Sequence, residues 1–210
     1  MSLFITFEGG EAAGKSTQIR LLRAALERRG LDCIATREPG GSPAAEAMRA
    51  VLLDPDLPLA PEAELLLVFA ARADHLAATV LPALDRGVIV LCDRFADSTL
   101  AYQGFGVQAD ARTRTLIDEL TARLPRQPDL TFVLNVSPGT AAERLRHRGG
   151  TTDRYETRDA AFHARVRAGF LAIAAAHPAR CVRIDADAPA EAVHDAILSV
   201  VSTRTGHKRG

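Results

Sequence analysis

The stretch Phe7-Glu8-Gly9-Gly10-Glu11-Ala12-Ala13-Gly14-Lys15-Ser16-Thr17 carries the clearest chemistry in the chain. Gly9, Gly14, Lys15 and Ser16 complete the pattern G-x-x-x-x-G-K-S. Such a turn lets backbone N–H groups converge at a helix N-terminus, where they favour anionic oxygens. Lys15 can reach the β- and γ-phosphates of a nucleoside triphosphate, and the Ser16 hydroxyl can ligate Mg²⁺. A second signal lies further on, where the apolar run Val88-Ile89-Val90-Leu91-Cys92 ends in Asp93-Arg94-Phe95. An apolar strand followed by an aspartate places a carboxylate at the metal, so Ser16 and Asp93 are the candidate Mg²⁺ ligands.

The elements around these residues suit that chemistry. Leu3 to Phe7 reads as a strand, and Thr17 to Arg29 has helical spacing through Ile19, Leu22 and Leu26. Strand, glycine-rich turn and helix form the context a phosphate-binding loop needs. Gly30 is placed to cap the helix, and Cys33 to Thr36 reads as a strand pairing in parallel with the first through a right-handed crossover. Ser42-Pro43 opens a helix to about Leu53, and Pro61-Glu62 opens a long one that Pro82 ends or kinks. Val88 to Cys92 has the composition of a central strand buried on both faces. A helix over about 112–124, a strand over 130–136 and a helix from Ser137-Pro138 to Arg146 follow. A helix over about 160–175, a strand over 180–184 and a helix over 189–202 close the pattern. The expectation is one α/β domain over residues 1–203, with a polar, arginine-rich lid at about 146–156 and a flexible tail at 204–210.

Composition narrows the class. The 210 residues carry zero formal net charge, which gives no bulk attraction to nucleic acid or to a membrane surface. No apolar stretch in the sequence reaches bilayer-spanning length, and Met1-Ser2 runs straight into a strand without a signal region. A cytoplasmic protein is expected. Cys33, Cys92 and Cys181 sit in or beside apolar runs and read as buried free thiols. Only Lys15 and Lys208 are lysines among the 26 basic residues, so the one lysine of the folded region stands in the phosphate loop.

The glycine-rich loop, Arg37-Glu38-Pro39-Gly40, Asp93-Arg94-Phe95 and the arginines of the lid occur in that order. Together they resemble the thymidylate kinase family across essentially the whole chain, in its bacterial type with lid arginines. The resemblance implies a P-loop NTPase fold: an α/β protein with a five-stranded parallel sheet flanked by helices on both faces. It implies γ-phosphoryl transfer from ATP to dTMP with Mg²⁺, in a homodimer. Gly9 through Thr17 become the ATP-binding residues Gly9, Gly10, Glu11, Ala12, Ala13, Gly14, Lys15, Ser16 and Thr17. Glu11 would also receive the deoxyribose 3′-hydroxyl. Arg37 and Arg94 would hold the dTMP phosphate with Arg49 near them, Arg72 would donate to the thymine edge, Thr99 and Gln103 would contact the base, and Tyr102 would lie against the sugar. Val68 stands where the family commonly has an aromatic residue, with Phe69 beside it, so Phe69 either stacks on the base or packs in the core. Ala12 leaves the loop without an arginine. By resemblance the catalytic set is Lys15, Arg94 and the lid arginines Arg148 and Arg154, with Arg146 a further candidate.

A phosphate monoester acceptor has a second pKa of about 6 and is mostly a dianion near pH 7. It needs no general base, which fits a chain without a Ser-His-Asp set. A nucleoside kinase would need a carboxylate base, for which Glu8 or Asp93 could serve. A GTPase-like switch would need an Asn-Lys-x-Asp motif, which the sequence lacks.

Overall fold

The computed structural model describes residues 2–148, 155 and 157–206, with the side chain of Arg148 excepted. Five parallel strands form one sheet: β1 (Phe4–Glu8), β2 (Cys33–Arg37), β3 (Ile89–Asp93), β4 (Leu130–Asn135) and β5 (Cys181–Asp185), in the order β2-β3-β1-β4-β5. Every residue of β1 is buried, as the middle strand of a sheet covered on both faces must be. The sequence expectation paired β1 with β2, and this is corrected: β3 lies between them, its register setting Phe7 opposite Asp93 and Arg37 opposite Asp93 on the other side. The reason is composition. Residues 89–92 of β3 are apolar and fully buried, whereas β2 alternates and ends in the exposed Arg37, which only an edge strand tolerates.

The helices begin and end where local chemistry directs. Helix α1 (Lys15–Glu27) closes with Gly30 at φ 70°, and the Gly30 and Leu31 N–H groups donate back to Glu27 and Leu26. This is the glycine-capped ending expected from sequence. Helix α2 (Pro43–Leu53) is capped by Ser42, whose Oγ accepts from the Ala45 N–H. Of the two outcomes expected at Pro82, an end or a kink, helix α3 (Pro61–His75) shows no end there. It passes through a π turn (Leu76–Val80) into α4 (Leu81–Asp85), and the Leu81 N–H donates to Leu76 O. Widening the helix just before the proline gives its ring room that a regular turn would deny. The composite helix Pro61–Asp85 is long and apolar enough to cross a bilayer by length and composition, contrary to the expectation from sequence. Yet Arg72 and His75 on it are buried and hydrogen-bonded inside the protein, which marks a core helix.

One element had no clear signal. Residues Ala96–Thr99 form the short α5, and Leu100–Gly106 continue it as a second π segment. Glycines at 104 and 106 obscured the periodicity. They are there because α8 (Ala160–Ala176) packs very close: a Cβ on Gly106 would lie 2.7 Å from the Phe162 ring, and one on Gly169 2.8 Å from that of Phe105. Helices α6 (Ala111–Ala122) and α7 (Pro138–Arg148) occupy the expected positions. Helix α9 (Ala190–Thr205) runs past Ser202 to a left-handed cap at Gly206, so Arg204 and Thr205 belong to it rather than to a tail. Residues 207–210 lie outside the described residues. Cys33, Cys92 and Cys181 are all buried and free, and burial raises each thiol above its usual range.

The largest core cluster joins β1, β3 and β4 to α1 and α9 through Phe7, Leu22, Leu26, Leu91, Phe132 and Ile197. Phe7 and Phe132 meet with ring centroids 5.4 Å apart directly behind the phosphate loop. Phe132→Ala is expected to cost about 3–5 kcal/mol in chemical denaturation, the range for truncating a fully buried aromatic. A loss below about 1 kcal/mol would mean that this layer does not support the sheet.

Candidate active site

Every functional group predicted from sequence and described here lies beyond the carboxyl ends of β1, β2 and β3 or on the helices facing that edge, where ligands of open α/β sheets bind. The loop after β1 begins with Gly9 at φ 137°, where a Cβ would sit 2.4 Å from the Leu134 carbonyl oxygen. It ends with Gly14 at φ 89°, at the N-cap of α1. Lys15 folds back over the turn and its Nζ donates to Gly9 O at 3.3 Å and Gly10 O at 3.0 Å. Burial, with Arg94 nearby, lowers the pKa of its ammonium. Ser16 Oγ donates to Asp93 Oδ2 at 2.9 Å, so the two proposed metal ligands are in contact.

Arg94 is the centre of the site. Its backbone takes φ 68°, uncommon for a residue with a side chain, and its N–H donates to Phe7 O. One end of the guanidinium donates to Gly9 O at 2.9 Å and Ser98 Oγ at 3.2 Å. The other donates to Glu11 Oε1 at 2.7 Å and the Tyr102 hydroxyl at 3.0 Å. Tyr102 donates to the same Glu11 oxygen at 2.5 Å. Burial alone would raise the Glu11 carboxyl, but Arg94 and Lys15 beside it and the Tyr102 hydrogen bond hold it down at about 2. Beneath this cluster the fully buried Glu8 accepts from the Phe95 N–H at 2.8 Å and from Ser98 Oγ at 2.5 Å. Burial, aided by Asp97, pushes Glu8 up to about 8.

A cavity of about 530 Å³ joins these groups to the proposed acceptor side, and Arg37, Arg49, Arg72, Thr99, Tyr102 and Gln103 all border it. Arg37 is half exposed and ion-paired with Glu46 at 3.0 Å, and Arg49 Nη1 donates to Pro39 O at 2.8 Å. Arg72 is only 2% exposed. Its Nε donates to Glu38 Oε2 at 2.6 Å and its Nη2 to Thr99 Oγ1 at 3.0 Å, while the buried Nη1 has no partner among the described residues. Glu38 also binds His75 Nδ1 at 2.9 Å, and a carboxylate can only accept, so that nitrogen carries the proton. Of the two places the sequence left open for Phe69, it takes the core. It packs with Leu65 and Ile117 behind the site, under the Arg72 guanidinium, while Val68 borders the cavity. Val68, four residues before Arg72, shares its cavity-facing side, while Phe69 lies one residue of helical rotation further round, toward Leu65 and Ile117.

Lid residue Arg154 lies outside the described residues, as does the side chain of Arg148, whose backbone ends α7. Arg146 is exposed on the same helix. Arg144 was missed. Its Nη2 donates to Ala186 O at 2.8 Å, and it borders the cavity beside the phosphate loop. The signal was available: Arg144 and Arg148 are four apart on one helix and share a face. Glu38, Glu64 and Tyr155 were also missed, because each acts from behind or beside a recognised residue; Glu38 stands in the Arg-Glu-Pro-Gly motif, but its partners Arg72 and His75 are 34 and 37 residues away.

The thymidylate kinase family model matches residues 7–197 of the chain. A thymidylate kinase of Gluconobacter oxydans is 52% identical over 200 residues, covering 95% of this chain and 94% of the relative. Another from Caulobacter vibrioides is 50% identical over 97% of both chains. The crystal structure of thymidylate kinase from Ehrlichia chaffeensis superposes with a TM-score of 0.77 at 36% identity, over 96% of this chain and 98% of that one.

The two buried carboxyls give opposite pH signatures. Glu11, depressed from 4.5 to about 2, stabilises the fold above pH 4.5 and loses that contribution as pH falls toward 2. Glu8, raised from 4.5 to about 8, contributes fully below pH 4.5 and loses that contribution as pH rises through 8, because the folded state keeps a proton the unfolded chain has released. Thermal melting of the wild type should therefore show a falling Tm between pH 5.5 and 8. Glu8→Gln, which mimics the protonated form, should flatten that slope. Equal slopes in both proteins would assign the dependence elsewhere.

Proposed function

The chain belongs to the thymidylate kinase family, and from that premise we propose that it transfers the γ-phosphoryl group of ATP to dTMP, giving dTDP for dTTP synthesis. The observation that carries the reading is one cavity bordered at one end by Lys15, Ser16 and Asp93 and at the other by Arg37, Arg49, Arg72 and Arg94. Two polyanions must meet in line, and converging cations are what that approach requires.

The roles follow from the contacts. Lys15 exchanges the Gly9 and Gly10 carbonyls for donor phosphate oxygens. Ser16 and Asp93 would hold Mg²⁺: a hydroxyl and a carboxylate are hard oxygen donors, and a site with few protein ligands suits an ion that keeps water and phosphate oxygens. An Mg²⁺ ion held by these two groups would supply positive charge to offset that of the phosphate oxygens. Arg94 and Arg37 bind the acceptor phosphate with Arg49 near them. Glu11 accepts the 3′-hydroxyl, Tyr102 borders the sugar, and Arg72, Thr99 and Gln103 read the base. Arg148 and Arg154 supply transition-state charge that Ala12 leaves missing from the loop, and Arg144 serves the donor side. A cytoplasmic homodimer belongs to the same reading, supported by the exposed apolar Val51, Leu57 and Leu66.

Of the two candidate bases of a nucleoside kinase, Glu8 is fully buried against Phe95 and Ser98, away from an acceptor hydroxyl. Asp93 borders the cavity but is engaged by Ser16, its partner in the proposed metal site.

A coupled ADP-release assay with dTMP, dUMP, thymidine or no acceptor tests the reading. Turnover should require a monophosphate, with dUMP poorer than dTMP by about 10–200-fold in kcat/KM, the value of one methyl contact. Equal turnover with thymidine, or without acceptor, would overturn it. Lys15→Ala should lower kcat by at least about 100-fold with an unchanged Tm, since its role is charge at the phosphates. Near-normal turnover in that folded variant would remove Lys15 from the mechanism.

A further inference from the structure

Glu64 lies on α3, buried, outside every motif in the sequence, and just behind the wall of the acceptor cavity. Its Oε1 accepts from Gln103 Nε2 at 2.9 Å and from the Tyr155 hydroxyl at 2.7 Å. Gln103 Nε2 also donates to the Tyr155 hydroxyl at 3.1 Å, which closes a triangle. The triangle decides which way the Gln103 amide points. An amide has one end that donates and one that accepts, and a carboxylate has no proton to give. The end facing Glu64 must therefore be the NH₂. Both contacts of Nε2, with Glu64 and with Tyr155, are made by this NH₂ end. Gln103 Oε1 is then the free end. It takes no hydrogen bond from the described residues, is not a buried orphan, and belongs to a residue bordering the cavity.

Across the same wall stands Arg72, whose buried Nη1 has no partner among the described residues. Its orientation is fixed by Glu38 and Thr99. The cavity is therefore bordered by one cationic donor side chain, Arg72, and one amide, Gln103, each oriented from behind by a carboxylate. We infer that Glu64 is a positioning residue that holds the Gln103 amide with its oxygen toward the cavity, and so restricts the acceptor to pyrimidines with N3–H beside a 4-carbonyl. This rests on the dTMP reading above. A 4-amino pyrimidine reverses both features, offering an acceptor at N3 and a donor at position 4. It would face Gln103 Oε1 with a lone pair and Arg72 with N–H groups. Unpaired polar groups in such a site discriminate far more strongly than a methyl does.

The bland alternative is a satisfied buried carboxylate that only supports packing between α3 and the π segment at residues 100–106. The two differ in what Glu64→Gln does. A glutamine at 64 can present either end to Gln103, so the amide is no longer held one way. Calorimetric titration of the full-length wild type and Glu64→Gln with dTMP, with 5-methyl-dCMP and with ATP separates them. 5-Methyl-dCMP keeps the ring methyl and changes only the 3 and 4 positions. The wild type should bind dTMP at least about 100-fold tighter than 5-methyl-dCMP. In Glu64→Gln the Kd for dTMP should rise about 3–10-fold, the preference should shrink at least about tenfold, and the Kd for ATP should stay within twofold. An unchanged preference in a folded Glu64→Gln protein overturns the proposal, as does an equal weakening of dTMP and ATP. Should that variant fail to fold, Glu64→Leu keeps the volume without any acceptor and must lower the preference in the same way. A wild type that neither binds nor phosphorylates dTMP would instead overturn the functional reading, independently of Glu64.

Discussion

The parallel register of β1 and β3 sets Phe7 opposite Asp93, and the rest of the site depends on that pairing. It brings the last residues of two strands level, so that the phosphate loop leaving β1 and the Asp-Arg-Phe turn leaving β3 emerge side by side. The Arg94 N–H continues the ladder by donating to Phe7 O, which anchors an arginine held in a left-handed backbone conformation. Ser16 meets Asp93 across the same gap. A register shifted by one residue would turn Asp93 to the other face of the sheet and separate it from the loop.

Above that edge, donor groups of the site are held in place by buried or largely buried carboxylates. Glu11 holds Arg94, Glu38 holds Arg72, Glu64 holds the Gln103 amide, and Glu8 ties down Phe95 and Ser98. Burial makes such pairs expensive to break, on the order of 3–5 kcal/mol when one partner is removed, because the other is left charged and unpaired. The gain is orientation. An arginine fixed by a carboxylate on one side presents its remaining donors in one direction, which suits recognition of a planar base or a tetrahedral phosphate. Glu8 makes no ion pair among the described residues, which is why burial raises it while Arg94 and Lys15 depress Glu11.

The two π segments serve the same end. One carries the chain past Pro82 without breaking the helix that bears Glu64, Arg72 and His75. The other spans Leu100–Gly106 and carries Tyr102 and Gln103, pressed against α8 where Gly106 and Gly169 leave room for aromatic rings. Wider helical turns at functional positions re-aim side chains that a regular helix would space differently.

Chemistry written in contiguous residues was legible from the sequence. The glycine-rich loop, the Asp-Arg-Phe strand end, the caps at Ser42 and Gly30 and the buried run of β3 all express local rules, in which a residue's neighbours along the chain decide its conformation. The order of strands was not legible, because β3 enters between β1 and β2 through contacts 86 residues distant on one side and 56 on the other, and only burial on both faces selects it. The place of Phe69 was not legible either: one residue of helical rotation separates the cavity wall at Val68 from the core at Phe69. Nor were the carboxylates behind the site. Glu11 sits inside a motif and could be read, but Glu38, Glu64 and Glu8 act on groups 34, 39 and 87 residues away. Sequence determined which groups can bind phosphate. Tertiary structure decided which way they point, because orientation comes from a partner that only folding brings within hydrogen-bond reach.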